Sequence, residues 1–144
     1  GWAVVTSTSQ DIVTAIYESG NAKYLVTDAP LIGTTSAYAP ELFGGYDLNG
    51  QTWDSGISLQ NTGSSAADVT VTYYDRAGNP VGNPQTRAGL PVNGVWILNR
   101  WGGTLPNNFA GSAVIVATQP MVAIVNVSHT GSGDTHASYT ASNR

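Results

Sequence analysis

The sequence predicts an all-β protein, an antiparallel β-sandwich, and three observations carry that expectation. No stretch of the 144 residues sustains a helical period; several short runs rich in Val, Ile, Thr and Tyr alternate apolar with polar; and clusters of Gly, Pro, Asn and Ser bound those runs. Hydrophobic residues make up 41% of the chain and charged residues only 10%, so solvation falls to Ser, Thr, Asn, Gln and Gly, as in secreted β-proteins. The length is that of one ordinary domain and is enough to bury a core without covalent staples.

Along the chain, Ile57 and Leu59 alternate with Ser58 and Gln60 in one strand. The segment NTGSSAA from Asn61 supplies turn residues for a hairpin into the next strand. That next strand, Asp68 to Asp75, is the clearest of all: Val69, Val71 and Tyr73 fall on one face, and Thr70, Thr72 and Tyr74 on the other. DRAGNP, from Asp75 to Pro80, is a second turn. Val95 to Asn99, Gly111 to Thr118 and Met121 to His129 are apolar enough to be buried on both faces, and Ala137 to Ala141 closes the set. Pro30, Pro40, Pro80, Pro84, Pro91, Pro106 and Pro120 all fall at or beside the breaks in this map, because proline cannot donate to a central ladder.

The net charge of −4 and a single lysine, Lys23, leave no basic stripe for phosphates or anionic lipid, which argues against nucleic acid and membrane surfaces as partners. No apolar run approaches the roughly 20 residues of a membrane helix. The absence of cysteine removes disulfides, thiolate metal sites and cysteine nucleophiles, and fits a bacterial secreted protein better than a eukaryotic one. Gly1 opens directly into strand-like sequence, so the numbering is expected to start on a mature or trimmed chain.

The two ends of the chain resemble each other. GWAVVTS from Gly1 matches GSAVIVA from Gly111, QDIVTAIYES from Gln10 matches QPMVAIVNVS from Gln119, and AKY at Ala22 matches ASY at Ala137. The spacing is close to the ~100 residues of one immunoglobulin-like sandwich. The expected organisation is therefore an N-terminal strand segment, 1–29, which is the closing part of one repeat, followed by a complete sandwich module, 30–144.

The stretches YAPELFGGYDLNGQTWDSGISLQNTGSSAADVTVTYYDRAGNPVG, LPNNFAGSAVIVATQPMVAIVNV and SGDTHASY also carry a family resemblance. It is most specific at the W-x-S-G-I-x-L-Q-N-T-G from Trp53, the V-T-Y-Y-D from Val71 and the F-x-G-S-A-V from Phe109. The chain resembles a tandem β-sandwich repeat of large secreted and surface proteins of bacteria. What the resemblance implies is an immunoglobulin-like antiparallel sandwich with an N-terminal half-repeat, strung into cell-surface stalks or pilus-like fibres, with no catalytic residues to carry over.

A half-repeat has apolar strands to bury, and an isolated two-stranded hairpin is marginal in water. Residues 1–28 are expected either to dock on a neighbouring copy, through Trp2, Val4, Ile12, Ile16 and Tyr24, giving a head-to-tail homopolymer, or to add strands to their own sandwich. Both readings stay open at this point.

Candidate chemistry is sparse, and neither enzyme activity nor a cofactor is expected. Asp47, Asn49, Gln51 and Asp54 place oxygen ligands on nearby residues around a glycine, as calcium loops do, but the closing bidentate glutamate is missing and a simple turn explains them as well. His129, Asp134 and His136 flank a loop and offer two imidazoles and a carboxylate to a transition metal, or part of a hydrolase triad, without tight spacing or a nucleophile elbow. Trp96 lies inside an apolar strand and is expected to be buried, whereas Trp101 follows that strand into a loop and is the better surface-binding residue. Two function classes result: a structural or adhesive module of an extracellular, cell-surface fibre, and, as the alternative, a module that binds surface glycans.

Overall fold

The structure, a computed structural model, describes Thr8 and residues 15–20, 23–28, 33–131 and 135–143. Among these residues every regular element is a strand. In chain order they are β1 (Ala15–Gly20), β2 (Lys23–Asp28), β3 (Thr34–Leu48), β4 (Gln51–Asn61), β5 (Ala67–Asp75), β6 (Pro80–Leu90), β7 (Val95–Asn99), β8 (Phe109–His129), β9 (His136–Thr140) and β10 (Ser142–Asn143). β1 and β2 pair only with each other, while the rest form one antiparallel sheet in the order β10-β3-β4-β8-β5-β6, with β7 on β4 and β9 on β8.

The all-β expectation holds, and the sheet curls into a half-barrel because its two long strands change partners along their length. The first half of β8, up to Ala117, runs between β3 and β5; the second half, from Met121, runs between β4 and β9. Between them lies Pro120, which has no N–H to donate and whose carbonyl accepts from Thr62 N at 2.9 Å. β3 makes the matching change. Its first half pairs with β8 and its end pairs with β4, with register shifts between Ala39 and Leu42 and between Gly44 and Tyr46. Strands that bend and switch sheets in this way form corners, and the result is two wings around one core. One wing holds β10, β3, β8, β5 and β6; the other holds β7, β4, β8 and β9.

Period-two alternation fills the core from both wings. Val69, Val71 and Tyr73 of β5, Ile57 and Leu59 of β4, and Ala113, Ile115, Met121, Ala123 and Val125 of β8 all point inward and pack together with Leu42, Leu90 and Leu98. The strand at Asp68 to Asp75 and its turn into β6 therefore stand where the sequence places them.

Five expectations need correction. Gly111 to Thr118 and Met121 to His129 are one bent strand rather than two. Gly111 to Thr118 and β7 are buried on one face only, with Val116 52% and Ile97 59% exposed, because the curled sheet leaves their other side to solvent, whereas Ala123, Ile124 and Val125 are buried on both faces of the second run. The NTGSSAA segment does not close a hairpin, since β4 and β5 belong to different wings and both pair with β8. It is a crossover instead, gathered by Asn61, whose Nδ2 donates to Ser65 O and Leu90 O and whose Oδ1 accepts from Gly63 N. Pro40, Pro84 and Pro120 lie inside strands rather than at breaks. They are tolerated because Pro40 sits in a register shift of the β3–β8 ladder, Pro120 sits where β8 changes partners and β6 is an edge. Trp96 is half-buried, packed against the core from an edge strand rather than enclosed by it.

The N-terminal segment contributes the β1–β2 hairpin, and β2 passes close to β9 of the same chain without forming a ladder with it. Trp2, Val4 and Ile12 lie outside the described residues. Ile16 sits opposite Thr27, and Tyr24 opposite Ser19, in the hairpin.

Candidate binding face

The outer face of the β4 wing is set by register. Ile57 and Leu59 point into the core, so Asp54, Gly56 and Ser58 point outward. Gly56 pairs with Asn99 of β7 on one side and with Asn126 of β8 on the other, and Asn126 pairs with Ser138 of β9. One row across four strands therefore reads Asn99, Gly56, Asn126, Ser138, with Asn126 exposed. A Cβ built on Gly56 would meet only Leu98 O, at 3.8 Å, so the space above this glycine is open. Ser58 pairs with Ile97 and Ile124 in the next row, and Asp54 pairs with Ser128 in the row before.

At the end of β7 the chain turns over this face. Arg100 reaches back to Asp54 with a two-pronged ion pair, Nε to Oδ1 at 2.7 Å and Nη2 to Oδ2 at 2.9 Å. Asp54 is buried and also accepts from Gly45 N at 2.8 Å. Hydrogen bonding to Asp54 raises the Arg100 pKa above its already high ordinary value, so the guanidinium stays charged. Gly45 is required beneath it: its φ is +64°, and any Cβ there would fall within 3.1 Å of the Arg100 side chain.

The Trp101 ring lies 5.0 Å from the Arg100 guanidinium carbon and is 71% exposed. The loop that carries it is braced from both sides. Gly102 N donates to Asn99 Oδ1, Asn99 N donates to Thr104 Oγ1, Thr104 N and Leu105 N donate to Asn99 O, and Leu105 is buried.

A second concavity lies at the β5–β6 turn. Two adjoining hollows of about 390 and 470 Å³ meet at Asp75 and Arg76. Asp75 is committed to its own turn, accepting from Asn79 N and Ala77 N, and these bonds lower its pKa, the backbone bond from Asn79 most. The Arg76 guanidinium lies 5.4 Å from the Tyr46 ring centre. From Tyr46 an aromatic run continues through Phe43 and Trp53 to His129, with the last two rings 4.5 Å apart. Tyr139 OH donates to the backbone carbonyl of Glu41, a residue that lines the first hollow, and burial pushes the Tyr139 phenol up to about 12.

The residues singled out as a calcium loop separate. Asn49 and Gly50 both have positive φ, at 56° and 74°, and Leu48 pairs with Gln51, which makes a tight β3–β4 hairpin of the Asn-Gly kind. Asp47 accepts from Gly50 N within it, whereas Asp54 lies further along β4 and is held by Arg100. His129 and His136 do not converge either. His136 pairs with Ser128, so its neighbour His129 points to the opposite face, against Trp53. Asp134 lies outside the described residues. Trp101 is the predicted residue that the structure places in an accessible, organised setting. Arg100, Asn99 and Gly56 were missed, with only the Arg-Trp pair after a strand to hint at them, and Asp54 was read as a metal ligand where it is the partner of Arg100.

No protein-family model matches the chain, and no curated protein is similar to it in sequence. Solved structures do resemble it in shape to different degrees. The crystal structure of Thermotoga maritima 1070 superposes with a TM-score of 0.59 at 14% identity, covering 78% of this chain and 96% of that one. The Anabaena sensory rhodopsin transducer gives a TM-score of 0.45 at 22% identity over 69% of this chain and 97% of its own. The first likeness is one of fold alone.

Proposed function

We propose that the chain is a non-catalytic structural module of an extracellular, cell-surface fibre: an immunoglobulin-like sandwich repeat joined to its neighbours through the closing hairpin of the preceding repeat. The observation that carries this reading is the equivalence of the two chain ends. The N-terminal segment that matches 119–139 in sequence forms an antiparallel hairpin, β1–β2, just as the second half of β8 forms one with β9. β2 lies against β9 of the same chain, at the outer edge of the β4 wing. The same contact made with a neighbouring copy would link copies head to tail, because exchange of an identical element between protomers needs no new surface.

The guarding of the edges supports the same reading. β6 carries Pro80, Pro84 and Arg87 and two register shifts against β5, devices that keep an edge from pairing. β7 carries neither charge nor proline. Electron microscopy and light scattering on the full chain, beside a chain lacking residues 1–28, test the proposal. Concentration-dependent filaments from the full chain alone support it; monomers from both samples at high concentration reject assembly by the hairpin.

A further inference from the structure

We infer that the face formed by Trp101, Arg100, Asn99, Gly56 and Asn126 is a binding site for a neutral oligosaccharide, with one pyranose ring stacked on the free face of the Trp101 indole. This inference goes beyond the assembly proposed above and does not depend on it.

Three features point to this class of ligand. The first is that Trp101 is held out rather than left out. Its ring rests beside a guanidinium that is itself fixed by two hydrogen bonds to buried Asp54, and Asn99 braces its loop with side chain and backbone together. An aromatic surface fixed in advance gives contact area at little entropic cost on binding. An unbraced indole would instead turn onto the adjacent apolar strand, where Ile97 stands 59% exposed.

The second is the floor. Gly56 leaves open space in the middle of a strand whose outward neighbours are Asn99 and Asn126, with Ser58 and Ser128 in the adjoining rows. A shallow trough edged by the Asn126 carboxamide, the Asn99 Nδ2 group and hydroxyls presents the donors and acceptors that a ring of hydroxyl groups requires.

The third is charge. The one cation at the site, Arg100, is neutralised by Asp54, and the chain as a whole carries −4, so an anionic ligand gains nothing here. A purely apolar partner would leave the amides unpaired. A pyranose has an apolar C–H face for the indole and a polar rim for the amides, and so satisfies both halves of the surface.

The test is affinity electrophoresis of the full chain in gels cast with neutral polysaccharides (β-glucan, xylan, mannan and a chitin derivative), followed by isothermal titration calorimetry with the oligosaccharide of whichever one retards it. Trp101→Ala and Gly56→Val are the informative variants, since Trp101 is largely exposed and a Cβ at Gly56 meets no close neighbour. Circular dichroism establishes that each is folded. The expected result is retardation by at least one polysaccharide, a loss of affinity of about tenfold or more in both variants, and a smaller, severalfold loss in Asn126→Ala. No retardation by any of the four, or binding that survives either Trp101→Ala or Gly56→Val, overturns the inference. Filament formation is scored on the same variants: it is expected to persist in Trp101→Ala, which separates this site from the hairpin.

Discussion

The two ends of β4 solve a similar problem in different ways. At one end, Asn61 is fully enclosed and every polar group of its side chain meets backbone, tying the crossover to β5 and the end of β6 into the core. At the other end, Asp54 is buried by Arg100, and the ion pair holds up an exposed tryptophan. Both are polar anchors for a loop, but only the second leaves a surface for something else to touch. The difference teaches that burial of a polar group reports function only through what it supports on the solvent side.

Removing Asn61 is the sharpest way to test the first half of that comparison. Asn61→Ala strips two carbonyls and one N–H of their partner inside the core and is expected to cost about 2 to 4 kcal/mol in chemical denaturation. Sugar binding, measured below the transition, is expected to remain. Asp54→Asn is expected to cost less, about 1 to 3 kcal/mol, because Arg100 keeps access to water, yet it should weaken binding at Trp101. If the two variants lose stability and binding in the same proportion, the two anchors are equivalent and the comparison fails.

Alkaline titration probes a third tie, between Tyr139 and the backbone of Glu41. Burial raises the Tyr139 pKa to about 12, from an unfolded value near 10. The folded state therefore favours the protonated phenol. Its stabilising contribution is complete below about pH 10 and is lost as pH rises toward 12, so the melting temperature should fall across that window, and fall less in Tyr139→Phe. The smallest effect is expected at Tyr73, whose buried hydroxyl has no partner among the described residues and whose pKa burial also raises. Tyr73→Phe should be neutral or stabilising by up to about 1 kcal/mol, as read from the denaturation midpoint.

Much of the local structure was legible because it depends on neighbours in sequence. The period-two pattern of Asp68 to Asp75 needed no partner to be read, and neither did the turn chemistry of Asp75 to Pro80. The long β3 was not legible, since Pro40 breaks its pattern at a register shift and Gly44 and Gly45 break it where the strand changes partners. For the same reason β8 looked like two strands. At the site, Trp101 could be flagged from its place after an apolar strand, but its support could not. Arg100 and Asp54 are 46 residues apart in sequence, and nothing local in DLNGQTWD distinguishes a ligand loop from half of an ion pair.

The sequence by itself determined the all-β class, the inward face of β5, the turn that follows it and the likeness of the two chain ends, because each follows from backbone preference or side-chain period over a few residues. Only the tertiary structure decided which wing each strand joins, which apolar runs keep one face in water, and which polar residues meet across the sheet. Alternation is the same in either wing, so the period says that a strand has two faces and not which partner lies beside it; that choice is made where β3 and β8 bend around the shared core.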